Sequence, residues 1–459
     1  MWRYLAVHRI GAVILETLLL IGCVLGGYFI RLHYFPLAGP LNSLILPKSF
    51  LIALVFQLFL HLRDVYDLRK TLSMPEYFLK LGEALLFSSG VLWILYYIFP
   101  ALLVGRGVYI ISLVLISAFL LVWHALVRLY IRRRAPNTRL LVLGTGRLAR
   151  DLVRQIIRRP ELGMQVQGFV GDDPALVGVS LVNPKVVGLV AELPRLVKQH
   201  KADRIVVELQ DRRGTLPFQD LLDFKTRGIA IEDATTVYEQ VTGKIAIENL
   251  KPSWLIFNSG FRVSRSLLIQ KRILSILVST VLLILFAPVT LLLMVLIRLG
   301  SPGPIFHRQQ RVGQDGCVFT LWKFRSMYED AEADTGPVWA EKHDPRATPI
   351  GRFMRRTRLD ELPQLYNVLV GNMSLVGPRP ERPEFVTELS TGIPYYHLRH
   401  SVKPGITGWA QINYRYASSI AQTTEKLQYD LFYIKNMSML LDALIVLETI
   451  KTVLVGQGS

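Results

Sequence analysis

KRILSILVSTVLLILFAPVTLLLMVLIR, residues 271–298, is the stretch on which the architecture turns. Its apolar run, 273–297, is long enough for a helix to cross the roughly 30 Å hydrocarbon core of a bilayer. Two features oppose a simple crossing. Arg265, Lys271 and Arg272 precede the run and Arg298, Arg308 and Arg311 follow it, so the basic asymmetry that orients a spanning helix is missing. Pro288 lies inside it, and a proline removes a backbone donor and clashes with the preceding turn, which bends a helix sharply. A re-entrant helix over 267–299, bent near Ala287-Pro288 and leaving on the side it entered, satisfies both facts.

Upstream, four further apolar runs occupy residues 10–30, 44–62, 81–99 and 108–130, each near the ~20 residues a membrane-spanning helix needs. Arg3 and Arg9 precede the first, Arg63, Arg69, Lys70 and Lys80 fill the loop after the second, and Arg128 and Arg132 to Arg134 close the fourth. The other loops hold only Arg31, Lys48 and Arg106. The positive-inside rule places both ends of this bundle in the cytoplasm. Run 10–30 exceeds a signal-peptide core and has no small-residue cleavage site after it, so it reads as a retained anchor. Glu16, inside that run, has two readings: a functional intramembrane acid, or one that finds a partner on a neighbouring helix.

Composition agrees with a membrane setting. Hydrophobic residues make up 51% of the 459, and mean hydropathy is +0.34. Charged residues fall to 19%, yet the net charge is +18, a balance suited to anionic headgroups or anionic substrates. A nucleic-acid partner is not expected, because the apolar content sits in long runs rather than beside a compact basic domain. Cys23 and Cys317 lie in unrelated segments and read as unpaired thiols.

After Pro136-Asn137 the pattern becomes soluble α/β. Strands are predicted at 139–143, 165–170, 204–209 and 228–231, with helices between them, which implies a parallel sheet. Between the first strand and its helix stands Gly144-Thr145-Gly146-Arg147-Leu148-Ala149. That is the G-x-G-x-x-A dinucleotide fingerprint in its strand–turn–helix setting, which makes Gly144, Gly146 and Ala149 candidate cofactor-binding residues. A structural or regulatory domain and an occupied nucleotide site both remain open. Asp172 and Asp173 read equally as ribose ligands or as a turn.

Beyond residue 300 the sequence is dense in arginine, glycine and proline. Phe319-Thr320-Leu321-Trp322-Lys323-Phe324-Arg325-Ser326-Met327 is followed by Arg355-Arg356-Thr357-Arg358-Leu359-Asp360-Glu361-Leu362-Pro363-Gln364, by Gly377-Pro378-Arg379-Pro380 and by Lys403-Pro404-Gly405-Ile406-Thr407-Gly408-Trp409. Arginine forks and lysine charges suit phosphate oxygens. Asp360-Glu361 is the adjacent acid pair set among them. It follows a basic helix and precedes Pro363, so it is expected at a helix start, near the positive dipole end. The last apolar segment, 438–455, carries Asp442, Glu448 and Lys451 and either packs on the domain or lies in the interface.

From about residue 265 onward these motifs, in this order, resemble the bacterial sugar transferases, the monotopic phosphoglycosyl transferases that act on polyprenyl phosphate. The upstream architecture is similar to that of the large members, typified by undecaprenyl-phosphate glucose and galactose phosphotransferases. One departure is visible: the family's helix break is commonly Ser-Pro, and here it is Ala287-Pro288. The resemblance implies a membrane α-helical bundle plus α/β fold: four transmembrane helices over 1–135, a Rossmann-like domain over 136–262, and a catalytic domain over 263–459. It implies that Asp360 attacks the sugar-linked phosphate of a UDP-sugar and expels UMP, and that undecaprenyl phosphate then takes the sugar phosphate with help from Glu361. Mg2+ is the implied cofactor, held by Asp360. Lys323, Arg325 and Arg358 are candidate phosphate contacts, and Pro378, Arg379 and Pro380 the nucleotide-side motif. The expected enzyme is an inner-membrane protein with a cytoplasmic site, using UDP-glucose for exopolysaccharide synthesis, with a homodimer as a candidate assembly. The competing reading is a non-catalytic scaffold or sensor, which would lack the acid pair or its basic frame; a transporter would show paired broken helices.

Overall fold

A computed structural model describes residues 2–34, 44–66, 74–134, 138–208, 216–250, 259–261, 263–329, 345–414 and 419–454. The chain forms two compact units, Met1–Asp233 and Ala234–Ser459.

The first unit opens with helices α1 (Trp2–Tyr34), α2 (Ile45–Leu62), α3 (Met74–Ile98) and α4 (Arg106–Arg134). Each contains a stretch long and apolar enough to cross a membrane. Leu20, Val24, Ile52, Phe56, Leu81, Leu92, Ile116 and Leu120 are buried between them, while Leu18, Leu86, Trp93 and Val114 face outward. Gly27 lets α1 and α4 approach: a Cβ there would collide with Ser112, whose hydroxyl donates to Val24 O at 3.4 Å. Small residues at such crossings are what close helix packing in lipid requires. Glu16 is 2% exposed and partnered. Tyr66 donates to its Oε1 at 2.7 Å, His124 Nε2 lies 3.7 Å away, and Tyr77 shares a 2.6 Å hydrogen bond with His124 Nδ1.

The same unit contains a five-stranded parallel sheet. Its strands are β1 (Thr138–Leu143), β2 (Met164–Gly171), β3 (Val186–Leu189), β4 (Arg204–Val207) and β5 (Ala230–Asp233), in the order β3-β2-β1-β4-β5. β1 is central and wholly apolar from Leu140 to Leu143, all fully buried, as a strand covered on both faces must be. Helices α5 (Arg147–Ile157), α6 (Leu193–Gln199) and α7 (Phe218–Thr226) supply the crossovers. Four strands stand close to where the sequence placed them. β3 was missed, because Val186–Leu189 is only four residues long and follows a turn-rich stretch.

The second unit begins at Ala234. Helix α8 (Ala234–Thr242) follows β5 directly, and its surroundings are C-terminal. Trp409 Nε1 donates to Gly243 O at 2.7 Å, Glu239 pairs with Lys435 at 2.5 Å, and Lys244 pairs with Glu425 at 2.7 Å.

Run 273–297 forms two helices, α9 (Arg265–Leu285) and α10 (Ala287–Gly300), broken at Phe286 with Pro288 in the first turn of α10. Their middle is apolar and open: Leu277, Val281, Ile284, Leu285, Leu291 and Leu292 are exposed. Their ends are tied down. Lys271 bonds Asp442 at 2.5 Å and also Tyr433, and Arg272 donates to Val368 O and Leu369 O. At the far end Leu293 and Ile297 pack on Phe324 and Met354.

The remainder comprises an antiparallel hairpin, β6 (Phe306–Val312) and β7 (Val318–Phe324), helices α11 (Pro349–Thr357), α12 (Gln364–Val370) and α13 (Pro383–Gly392), and a short parallel pair, β8 (Ser374–Val376) and β9 (Gly405–Thr407). Helices α14 (Trp409–Asn413), α15 (Ile420–Lys435) and α16 (Met439–Leu454) complete it. β8 and β9 run so close that a Cβ on Gly377 would strike Lys403 O. α16 packs against the domain: Ile445 and Asp442 are buried, and Thr449 bonds Thr407 at 2.6 Å.

Candidate active site

Three elements converge on the acid pair. α11 begins at Thr348, whose hydroxyl accepts from Gly351 N at 3.0 Å, and ends at Arg358 in the left-handed region with φ 60°. A non-glycine residue in that conformation carries a strain cost. The reversal leads into a 3-10 turn, Leu359–Glu361, that turns both carboxylates inward; Asp360 is 7% and Glu361 8% exposed. β7 brings Lys323. The loop after β8 brings Arg379, anchored because Gly377 N donates to Thr407 O and Gly405 N to Pro378 O, both at 2.9 Å.

The pair is not evenly shared. Glu361 Oε1 takes a 2.8 Å hydrogen bond from Arg379 and lies 3.5 Å from Lys323 and 3.6 Å from Arg358. Burial alone would lift its carboxyl, but Arg379, Lys323 and Arg358 together hold it well below the usual carboxylate range. Asp360 has no such help at close range. Its Oδ1 is buried with no hydrogen-bond partner, and burial, then the charge of Glu361, pushes its carboxyl up to about 6. A desolvated carboxylate oxygen without a hydrogen bond is costly to bury. Burial also lowers the Lys323 ammonium, against the pull of Glu361.

The expected contribution of a helix dipole is minor. α12, which follows the acids, is a seven-residue helix, and the charge compensation comes from three side chains on three elements. Arg325 is also placed differently from expectation. Its guanidinium is 5% exposed and donates to Ser301 O at 2.7 Å, Ser301 Oγ at 2.9 Å and Pro302 O at 2.5 Å. It closes the C-terminal end of α10 instead of reaching toward phosphate. Lys323, two residues earlier and inside β7, does face the acids, 3.5 Å from Glu361, whereas Arg325 lies just beyond the strand's last residue, Phe324.

Two supports were not read from the sequence. Asn367, in the middle of α12, accepts from Trp322 N at 3.1 Å and donates to Thr320 O at 2.8 Å. Its amide pairs with β7 as another strand would, and so sets Lys323 beside Glu361. An asparagine inside the otherwise apolar Leu365–Val370 stretch was the available signal. Behind Arg379 lies a buried ionic lattice. Arg399 donates to Arg379 O at 3.0 Å and pairs with Asp430 at 2.9 Å, Lys426 pairs with Glu381 at 2.6 Å, and Arg311 donates to Pro380 O at 2.9 Å. Burial would raise the Glu381 carboxyl, but Lys426, Arg399 and Arg311 bring it down to about 2. Its members are scattered over 120 residues of sequence, so only the fold brings them together.

Residues 266–456 match the family model described as bacterial sugar transferase, and residues 61–215 match one described as CoA-binding domain. The UDP-glucose:undecaprenyl-phosphate glucose-1-phosphate transferase of Klebsiella pneumoniae is 32% identical over 450 residues, covering 93% of this chain and 90% of that protein. This chain belongs to the bacterial sugar transferase family. The similarly named protein of Escherichia coli is 35% identical over 327 residues, covering 70% of this transferase and 69% of the relative. A UDP-N-acetylgalactosamine-undecaprenyl-phosphate N-acetylgalactosaminephosphotransferase of Aeromonas hydrophila is 43% identical over 223 residues, where the match spans only 52% of the relative's length. The transferase is thus a phosphoglycosyl transferase and a multi-pass membrane protein.

Proposed function

We propose that the transferase moves hexose 1-phosphate from UDP-glucose to undecaprenyl phosphate and releases UMP, with Asp360 as nucleophile. The unpartnered Oδ1 of Asp360, beside an acid already compensated by three cations, carries this reading. An Asp360 oxygen forms a bond to the β-phosphorus of the UDP-sugar, and the bond from that phosphorus to the bridging oxygen breaks. UMP leaves with that oxygen. A phosphate oxygen of the lipid carrier then attacks the same phosphorus, the aspartyl bond breaks, and undecaprenyl diphosphate hexose forms. Nucleophilic carboxylate catalysis splits one difficult displacement into two easier ones.

Glu361 serves in this scheme by holding Arg379, Lys323 and Arg358 where phosphate charge develops. Its depressed basicity suits an anchor for cations better than a proton acceptor. Electrostatic stabilisation by prearranged cations is the main contribution a protein makes to phosphoryl transfer. Among the described residues no group of three or more metal-ligating side chains occurs. A Mg2+ ion would be held by Asp360 Oδ1 together with substrate phosphate, the pattern of one carboxylate plus phosphates that this ion favours. Bound there, it would offset phosphate charge.

The topology that accompanies this function is a four-span bundle within residues 1–135 and a re-entrant hairpin made by α9 and α10. A straight helix of their combined length would extend about 54 Å, yet Lys271 and Ile297 both dock on the same folded unit, with an exposed apolar bend between them. The hairpin keeps Asp360 on the cytoplasmic face, at the depth of the carrier's phosphate. Single cysteines at Ser264 and Ser326, with Cys23 and Cys317 replaced, should both react only after cells are permeabilised. Labelling of Ser326→Cys from outside would overturn the topology.

Purified transferase supplied with undecaprenyl phosphate and a panel of UDP-sugars tests the activity by UMP release. UDP-glucose should be the preferred donor. The 43% identity over 223 residues to the N-acetylgalactosamine enzyme favours UDP-N-acetylgalactosamine as the second reading. Absence of UMP release with every donor would refute the function.

A further inference from the structure

The family model over residues 61–215 carries a CoA-binding description, and β1 leads into the glycine fingerprint that receives a nucleotide pyrophosphate in folds of this kind. In such a site the glycines leave a space beside the N-terminus of the first helix, and backbone N–H groups there bind phosphate oxygens. Here that space is taken by the chain itself. Glu208 directly follows β4, the strand beside β1, and its N–H donates to Leu143 O at 2.7 Å. Its side chain turns over the loop, and Gly146 N donates to Glu208 Oε2 at 3.0 Å. A Cβ on Gly144 would lie 2.9 Å from Oε2, and one on Gly146 would lie 2.6 Å from it. Gly144 also adopts φ 121°, which a side chain rarely permits.

We propose that Glu208 is the resident anion of this loop, occupying the seat of a nucleotide pyrophosphate, so that the sheet domain does not bind CoA or a dinucleotide. The fingerprint glycines are then explained without a nucleotide: they make room for a carboxylate. Neighbouring groups point the same way. Asp173, at the position from which a ribose would be met, accepts from Ala175 N at 2.9 Å and caps a 3-10 turn. Asp233, at the end of β5, adds negative charge near Glu208, while Arg150 supplies the opposing positive charge. A second anion of pyrophosphate size would meet a filled cradle, a carboxylate already bonded to Gly146 N and the like charge of Asp233.

The test uses the full chain in detergent. CoA, NAD+ and inorganic pyrophosphate, each to millimolar concentration, should produce no saturable heat in titration calorimetry and no thermal shift with the native protein. Glu208→Ala should lower the unfolding temperature by several degrees, because Gly146 N loses its charged acceptor. Inorganic pyrophosphate should restore part of that loss in Glu208→Ala. Glu208→Gln retains an amide oxygen that can accept from Gly146, so it should stay close to native and remain insensitive to pyrophosphate. UMP release should be unchanged in the Gln variant and confirms that it is folded. Saturable binding of CoA or NAD+ by the native protein would overturn the proposal. So would a Glu208→Ala protein as stable as native and indifferent to pyrophosphate.

Discussion

Glu208 and Asp360 are two acids that stand beside arginines in glycine- and arginine-rich surroundings, and their oxygens are treated in opposite ways. Glu208 has a backbone N–H at 3.0 Å and fills its own cradle. Asp360 is buried with Oδ1 unpartnered and its carboxyl lifted to about 6, while the adjacent Glu361 takes the cations. Folding favours satisfied polar groups, and what sets Asp360 apart is that its unpartnered oxygen is a carboxylate oxygen beside three cations that Glu361 already holds. On our proposal the fingerprint loop is filled by the chain itself, whereas in the buried acid pair Asp360 keeps an oxygen without a partner.

The sharpest way to break this comparison is Asp360→Asn. It should reduce UMP release to a trace, by three orders of magnitude or more, because an amide is a poor nucleophile. The same variant should be more stable. The folded carboxyl titrates near 6 and the unfolded one near 3.8, so ionisation opposes folding above that window and has no effect below it. At pH 8 the opposition amounts to about 3 kcal/mol as an upper figure. Thermal unfolding should therefore show a gain for Asp360→Asn at pH 8 that shrinks as pH falls through 6 and vanishes below 4. A destabilised variant would show that Asp360 is a satisfied structural acid after all.

Arg379→Ala should come next. It removes the 2.8 Å partner of Glu361 and a cation beside the reacting phosphate, and a loss of about 10²–10³ in kcat is expected. Arg379→Lys keeps the charge but not the fork, and should fall between. If Ala and Lys were equally impaired, geometry rather than charge would be the contribution of Arg379.

A smaller effect is expected from pH alone. With the Asp360 carboxyl near 6, the nucleophile is protonated on the acid side, and kcat/KM should fall about tenfold per unit below that value. Glu361, held ionised well below it, should add no second limb in that range. A profile flat down to pH 5 would mean that the cations reach Asp360 more strongly than its unpartnered oxygen implies.

How much of this was legible in the sequence follows the range of each interaction. The broken helix was readable because proline and flanking charge act locally, and the sheet because strand and helix patterns alternate over short windows. The acid pair stood out through its neighbours Arg358 and Pro363. The place of Arg325 was not legible because the motif does not show that the strand ends at Phe324, nor that Ser301 and Pro302 come back to meet the guanidinium. Asn367, Glu381, Arg399 and Asp430 escaped because their roles depend on partners brought together by the fold. The fingerprint was found correctly, but its occupant lies 62 residues beyond Gly146, and no local pattern announces a carboxylate that will return to fill it.

Glu16 offers the gentlest test of the same contrast. It is an acid within an apolar helix, 2% exposed, and such residues inside membranes are functional candidates by default. Its oxygen is nevertheless partnered, by Tyr66 at 2.7 Å, with His124 at 3.7 Å and Tyr77 beyond it. Those residues come from α1, α3, α4 and the turn after α2, so the cluster joins all parts of the bundle at one level. If satisfaction marks a structural acid, Glu16→Gln should retain UMP release within about twofold, since its amide oxygen still accepts from Tyr66. Glu16→Ala should lower the unfolding temperature in detergent, because Tyr66 and His124 lose their shared partner in an apolar setting. Tyr66→Phe should reproduce part of that loss, and combining it with Glu16→Ala should add little, as expected for two ends of one interaction. Loss of UMP release in Glu16→Gln at native stability would instead make this acid a working part of the transferase, and partnered oxygens would no longer separate structural acids from functional ones.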